Sequence, residues 1–257
     1  NRIIDAEPAT GFDTALDPVN ILADRLAILL FLRGDVAPAR NAYVWECADI
    51  STEAALPESL PAEFPDTFSR LGLTSKIGSC VKNTRLAADI QRVPTDPELW
   101  SNLQKLPANL QTKADKAVSD TGEIELNAAT LELKVMTPRT EALVLKGGAL
   151  KGKILEVRNA VGFQTVAAAA LDKLPLTASG KILCFQLTDV VNTKIKFGNR
   201  AHTRLDQWGN LPLLLRAGKA DIRLNLTGAP AYQVVALALD GSKKSVVPSS
   251  YSNNILT

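Results

Sequence analysis

Histidine, methionine, cysteine and aromatic side chains are all scarce in this chain. The 257 residues include one histidine, His202, one methionine and three cysteines, and aromatic residues make up 5%. A nucleophilic triad needs a base, and no GxSxG turn accompanies His202, so this class of enzyme is disfavoured. Three dispersed cysteines and one histidine cannot form a conventional Cys/His zinc site. We therefore expect no metal and no cofactor, and a solvated loop position for His202.

Long apolar runs are also missing. The longest wholly apolar run, Leu26 to Leu32, has seven residues, whereas a helix needs about 20 to span a bilayer. The first residues show no charged segment followed by an apolar one, as a secretory leader would. We expect no membrane association, and the sequence leaves the compartment open, with a secreted or periplasmic location among the possibilities.

The charge is unevenly distributed, but it does not indicate nucleic-acid binding. Residues 1–115 carry 11 Lys plus Arg against 16 Asp plus Glu, and residues 116–257 carry 18 against 11. The basic residues of the second part stand singly, without the dense runs and interleaved aromatics that single-strand binding requires. We expect solvated strand faces in this part, and no nucleic-acid partner.

Alternation of apolar and polar residues dominates from Thr121 to Leu239. Such alternation places every second side chain on one face and is typical of half-buried β-strands. Turn residues, mostly glycine, separate the runs at the spacing of antiparallel sandwiches. The runs are GEIEL (122–126), TLELKVM (130–136), KILEVR (153–158), KILCFQLTDV (181–190), ADIRLNLT (220–227) and AYQVVALAL (231–239).

One helix is strongly signalled near the N-terminus. Asp17 can accept from the free N–H groups of a first helical turn, and Pro18 is preorganised at the first helical position. The helix should run to Arg33, with Gly34 as its C-cap. Its apolar residues cover more than one stripe, as in a helix packed on several sides. Arg33, Gly34 and Asp35 also spell an adhesion motif, but the helix end explains all three.

Between this helix and the alternating runs, the sequence resembles part of an α/β unit. Residues 41–47 (NAYVWEC) predict a buried strand, and residues 68–81 predict a helix end, a turn and a strand. A proline-rich stretch at 56–65 separates them and cannot be a helix interior. We therefore predict an α+β multidomain fold, in which a short N-terminal helical and α/β portion precedes an antiparallel β-sandwich.

Three further residues merit separate treatment as site candidates. Glu46 follows Trp45 at a strand end, where an indole could stack on a sugar, but neighbouring strand residues face opposite sides and a solvated acid is the simpler interpretation. Asp189 follows an apolar strand, where an aspartate most often caps a turn, although a calcium site is conceivable. Trp208, in DQWGN, is the residue that we select for substrate binding, by stacking on a sugar ring.

Five segments of the chain carry a common resemblance, and they are 17–36, 119–143, 162–172, 181–197 and 208–226. Together they resemble the C-terminal part of large bacterial glycoside hydrolases, in the barrel superfamily that includes multidomain β-galactosidases. The resemblance implies an upstream (β/α)8 catalytic barrel, an α/β domain and a terminal β-sandwich. Residues 1–37 would be the helical tail of the barrel, 38–115 a reduced Rossmann-like segment with its linker, and 116–257 the sandwich. This chain is too short to hold the barrel itself, which needs about 250 residues.

Two functional hypotheses follow. In the first, the chain is an accessory part of a glycoside hydrolase that shapes the cleft, associates with an upstream catalytic domain or helps to form homo-oligomers, and it has no catalytic residues that can be named. In the second, it is a free-standing, non-enzymatic module that binds carbohydrate or protein. The helix discriminates between them: apolar residues without partners in this chain favour the first, and complete internal partners favour the second.

Overall fold

The structure is a computed structural model that describes residues 17–47, 71–81, 83–93, 115–200, 202–227 and 231–257, with only the backbone for 45–47 and 93. By internal contacts the chain divides into two compact units. The first comprises Asn1–Asp35 and Thr130–Thr257, and the second comprises Val36–Ala129.

The described residues form one α-helix and twenty β-strands. The helix is α1 (Pro18–Arg33). The strands, in chain order, are β1 (Ala42–Cys47), β2 (Lys76–Val81), β3 (Ile90–Val93), β4 (Lys116–Val118), β5 (Ile124–Asn127), β6 (Glu132–Met136), β7 (Thr140–Leu145), β8 (Gly148–Lys151), β9 (Leu155–Val161), β10 (Gln164–Ala170), β11 (Ile182–Leu187), β12 (Val190–Thr193), β13 (Lys196–Phe197), β14 (Leu205–Gln207), β15 (Asn210–Leu215), β16 (Lys219–Asn225), β17 (Val234–Leu237), β18 (Lys243–Val247), β19 (Tyr251–Ser252) and β20 (Ile255–Leu256).

The first unit is built on two antiparallel sheets. In one sheet the strands lie in the order β11-β10-β7-β6, and in the other the order is β19-β20-β16-β9-β8. β16 lies beside β9 although about 60 residues separate them, with Ile222 opposite Val157. The remaining strands of this unit form three two-stranded sheets, β12 with β15, β13 with β14 and β17 with β18.

Strand β10 is buried on both faces, which makes it the centre of the unit. Val166, Ala168 and Ala170 belong to the core between the two sheets, while Ala167 belongs to a second core beneath α1. Successive strand residues point to opposite faces, so a run of four alanines lets a sheet and a helix both approach this strand closely. The result is a sandwich with a helix on its outer side.

The sequence of α1 explains where the helix begins and ends. The Asp17 carboxylate accepts from the N–H groups of Val19 and Asn20, at 2.8 and 3.1 Å, as an N-cap does. Gly34 ends the helix with φ +58° and donates its N–H to Phe31, a conformation that costs glycine little. The predicted helix bounds are confirmed.

The inner face of α1 packs on the strands of its own unit. Leu26 is buried with Ala142, Phe185 and Leu187, and further helix residues flank this core. The flanking helix residues recur at helical spacing and are Val19, Leu22, Ala23, Leu29 and Leu30. The inner face is therefore covered by this chain.

The end of α1 is fastened to the sheet by a buried polar cluster. Arg33 is ion-paired with Asp35, whose side chain is 1% exposed, and donates to the Thr140 hydroxyl at 2.6 Å and to the carbonyl of Ala170. Thr140 in turn donates to Asp35 at 2.7 Å. Because the Asp35 carboxylate is enclosed in this cluster, it does not present an adhesion motif.

The turn before β9 is organised by a buried carboxylate. Glu141, 0% exposed, accepts from the backbone N–H groups of Lys153, Ile154 and Leu155 at 3.1, 2.9 and 2.8 Å. Three N–H donors compensate for the loss of hydration of this charge. Glu141 is thus a structural acid rather than a free one.

The second unit contains a parallel sheet in the order β2-β1-β3. Tyr43 of β1 is buried, and its pKa is raised by that burial and by the nearby Asp120 carboxylate. Asp120 accepts from the N–H groups of Arg40 and Asn41 at 2.8 and 2.7 Å. A hairpin of β4 and β5 completes the described part of this unit.

The predicted fold class is confirmed. The described part of the chain is mostly β, with 47% strand, an N-terminal helix and several antiparallel sheets in a sandwich-like arrangement. The domain boundaries predicted at 37 and 115 stay predictions. Within the described ranges, no helix combines the length and apolar character that a bilayer span requires.

Candidate binding cavity

The residues between β11 and β16 form a lobe that carries the candidate site. Within it β12 pairs with β15, and β13 pairs with β14. Both pairings contain a register shift, at Asn192/Thr193 and at Lys196/Phe197. Such irregularities bend a strand and redirect its side chains, and here they occur in strands that line a cavity.

The cavity has a volume of about 250 Å³. Its wall combines polar and charged side chains with apolar ones, all from this lobe. It is smaller than the pockets of roughly 300–1,000 Å³ that hold drug-sized ligands, so it suits a ligand of one ring. The lining residues are Asp189, Val190, Val191, Asn192, Ile195, Phe197, His202 and Arg216.

Two of the charged residues in the cavity wall are paired with each other. The Arg216 guanidinium lies 3.1 Å from the Asp189 carboxylate, and both side chains are about half exposed. The pairing is reinforced by the backbone, because the Arg216 N–H donates to the Asp189 carbonyl at 2.8 Å. Their opposite charges cancel, while unused donors and acceptors remain on both side chains.

An aromatic pair forms another part of the wall. The rings of Phe197 and His202 stack with centroids 4.1 Å apart and an interplanar angle of 6°. His202 adopts a left-handed backbone with φ +57°, at the end of a turn in which its N–H donates to Asn199. This turn conformation brings the lone histidine over the phenyl ring.

Trp208 lies next to the cavity but does not line it. Its side chain is 53% exposed, and its carbonyl accepts from Asn192 Nδ2 at 2.9 Å, where Asn192 is a wall residue. Gly209, with φ +79°, presses against the neighbouring strand, since a Cβ there would overlap Thr193 and lie 2.7 Å from the Ile195 nitrogen. The backbone that carries the exposed indole is therefore held at a fixed place in the lobe.

The structure brings together residues that share no motif in the sequence. His202 is exposed, as expected for a solvated histidine, yet it stacks on Phe197 in the wall that also contains Asp189. Sequence spacing offered no signal for this cluster, because a chain reversal across β13 and β14 creates it. The side chain of Glu46 lies outside the described residues. The choice of Trp208 as a sugar-stacking residue stays a prediction.

The outer face of α1 is a second feature of interest. Phe31 is 84% exposed, Leu32 76% and Ile28 53%. These three residues, which we call the outer helix face, lie on the side opposite Leu26. The apolar helix residues whose partners discriminate between the two functional hypotheses are Ile21, Leu22, Leu26, Leu29 and Phe31. Leu22, Leu26 and Leu29 have partners in the core, Ile21 is half-buried, and Phe31 is open to solvent.

No metal centre emerges among the residues that the structure describes. Within them, no group of three or more His, Cys, Asp or Glu side chains is placed to hold an ion. Two described cysteines, Cys80 and Cys184, are free thiols, the first half-buried and the second exposed. Comparison of the chain with protein-family models, with curated proteins and with solved structures finds no match.

Proposed function

We propose that this chain is a non-catalytic accessory module of a larger carbohydrate-active protein, a glycoside hydrolase, whose catalytic domain docks on the outer helix face. The observation that carries the proposal is the exposure of Phe31, Leu32 and Ile28 side by side on one helix. Adjacent exposed apolar side chains of this size mark contact surfaces more often than isolated ones do.

Chain connectivity indicates which domain contacts the outer helix face. In the architecture that the resemblance implies, residues 1–37 form the helical tail of the barrel, so the body of the catalytic domain precedes α1 in the chain. A short tether keeps such a domain at high effective concentration near the helix. Three large apolar side chains that lose contact with water on docking would supply several kcal/mol, at about 1.5–3 kcal/mol each.

The cavity fits an accessory role better than a catalytic one. Glycoside cleavage by the common mechanisms requires two carboxyl groups about 5–10 Å apart. Among the described residues that line the cavity, Asp189 is the one carboxylate, and it is engaged with Arg216. Trp208, exposed beside the cavity, supplies a ring face suited to contact with carbohydrate.

The first experiment measures the mass of the native gene product and the activity of the 257-residue chain. We expect a longer native protein, and no turnover of aryl glycosides by the chain alone. Hydrolysis by a homogeneous preparation that disappears in Glu46→Gln would overturn the non-catalytic assignment. A native product of this length would overturn docking of a catalytic domain.

The second experiment tests the docking face in the full-length protein. Phe31→Ser with Leu32→Ser should separate the module from the rest of the protein, detected as faster limited proteolysis between them and lower thermal stability of the whole. The matched control is Val161→Ser with Val246→Ser, two valines that are 61% and 62% exposed. Equal effects of both pairs would contradict the docking assignment.

A second candidate function is a free-standing carbohydrate- or protein-binding module. It is favoured by the inner face of α1, which is covered by strands of its own unit, so the unit needs no upstream domain to close its core. Under this hypothesis the outer helix face is incidental. Phe31→Ser with Leu32→Ser would then leave the rate of limited proteolysis and the thermal stability unchanged.

A further inference from the structure

The cavity in the lobe between β11 and β16 has a composition that selects for a particular ligand chemistry. Its wall offers hydrogen-bonding groups from Asp189 and Arg216 together with the stacked rings of Phe197 and His202. A ligand that fits must therefore have polar groups around its edge and an apolar surface.

The charges of the wall argue against an anionic or cationic ligand. Arg216 and Asp189 form an ion pair at 3.1 Å, so their charges cancel. An anion would have to compete with the Asp189 carboxylate for the guanidinium, and a cation would have to compete with the guanidinium for the carboxylate. A neutral ligand can bind both at once, by donating to the carboxylate and accepting from the guanidinium.

Neighbouring hydroxyl groups on a sugar ring match this pair. Each hydroxyl both donates and accepts, and two of them on adjacent carbons can bridge a carboxylate and a guanidinium whose nearest atoms are 3.1 Å apart. The apolar C–H face of a pyranose would lie against an outer ring face of the stacked Phe197 and His202 pair, whose inner faces cover each other, or against the Ile195 side chain. The volume of about 250 Å³ is sufficient for one ring.

We propose that this cavity binds a single neutral sugar residue, with Asp189 and Arg216 holding two adjacent hydroxyls. The proposal rests on the carbohydrate-related function proposed above and adds the site and the ligand class. It assigns recognition to the cavity, so Trp208 contributes at most a neighbouring contact.

The test is ligand-observed saturation-transfer NMR with titration calorimetry on the full chain. The probes are the methyl glycosides of glucose, galactose and mannose, the uronic acid of glucose, and inorganic phosphate. We expect at least one neutral glycoside to bind and the charged probes not to bind. Asp189→Ala and Arg216→Ala should each weaken that binding about tenfold or more, because each removes hydrogen bonds to a charged group.

The lobe itself supplies a matched control. Arg204 and Asp206 form an exposed ion pair at 3.0 Å in the same lobe but do not line the cavity. Asp206→Ala, which leaves the bond from Arg204 to the Gly198 carbonyl in place, should leave binding unchanged. His202→Ala, at an exposed position, serves where a variant at 189 or 216 unfolds, and it should also weaken binding.

The remaining outcomes each overturn the proposal. Binding that Trp208→Ala abolishes and the cavity variants leave intact would move the sugar site to the indole, while the broader carbohydrate function would stand. Preferential binding of the uronic acid or of phosphate would show an anion site. Absence of binding by every probe would remove the cavity as a sugar site and would leave the docking of α1 to its own test.

Discussion

Gly152 lies against the carboxylate of Glu141 so closely that a Cβ at this position would be 2.5 Å from Oε2 and 3.2 Å from Cδ. The same carboxylate holds three backbone N–H groups of the following turn. Because Glu141 is fully buried and fixed by these bonds, it cannot withdraw from an added methyl group. The glycine is thus required by a close approach rather than by an unusual φ.

We predict that Gly152→Ala lowers the free energy of unfolding by about 1–3 kcal/mol, the usual cost of overpacking, measured by urea denaturation. The matched control is Gly180→Ala, because a Cβ at Gly180 meets no atom within 4 Å and its φ is not positive. Equal destabilisation by the two variants would show that the Glu141 contact is not the cause.

The buried pair at the end of α1 predicts a second stability effect. Asp35→Ala removes the carboxylate that pairs with the Arg33 guanidinium and accepts from the Thr140 hydroxyl, and breaking a buried ion pair from one side costs about 3 kcal/mol or more. Arg204 and Asp206 have the same spacing but are exposed, so Asp206→Ala should cost less than about 1 kcal/mol. Similar losses in the two variants, by chemical denaturation, would refute a structural role for the buried pair.

The N-cap of α1 predicts a smaller effect. Asp17→Ala removes the acceptor for the N–H groups of Val19 and Asn20 and should lower the free energy of unfolding by about 1 kcal/mol. Asp24, exposed on the same helix, is the control, because alanine is the better helix former there. In thermal melts followed by circular dichroism, we expect the melting temperature of Asp24→Ala to be equal to or above that of the parent chain, and that of Asp17→Ala to be below it. A lower melting temperature for Asp24→Ala than for Asp17→Ala would exclude the cap.

The hairpin of β17 and β18 predicts a pH effect. The hydroxyl and the backbone N–H of Ser242 both bond to the ionised Asp240 carboxyl and hold its pKa below the ordinary value. Since the folded-state pKa is lower than the unfolded one, the contribution to stability is present above the unfolded pKa and is lost as the pH falls through the folded pKa.

In an NMR titration of the carboxyl carbons, Ser242→Ala should therefore raise the pKa of Asp240 toward its ordinary value. Asp172 is the internal control, because Ser242 is not among its hydrogen-bond partners, and its pKa should stay constant. An unchanged pKa of Asp240 in the variant would show that the backbone N–H alone is responsible.

Local features of the fold could be predicted from the sequence because their causes are local. Asp17, Pro18 and Gly34 fix the bounds of α1 through groups within a few residues. Alternation likewise located β9 and β16, since one buried face is enough to impose it. It does not specify partners, so the pairing of β16 with β9, and the helix covering β10, were not predicted.

The candidate cavity was harder to predict for a physical reason. Asp189 and Arg216 are 27 positions apart, and they meet because β12 and β15 pair across an intervening hairpin. Considered alone, Asp189 is a turn aspartate and His202 a loop histidine. Neither carries a spacing motif, and only the tertiary arrangement gives them a shared surface.

The first unit is formed by two stretches of the chain that are distant in sequence, and this affects how it folds during synthesis. About 150 residues separate Arg33 from Phe185, whose ring covers the inner face of α1. At translation rates of about 5–20 residues per second, the helix emerges from the ribosome some 8–30 s before that strand emerges. During this interval the nascent chain exposes an uncovered leucine-rich segment, so its synthesis should depend on a chaperone that binds such segments.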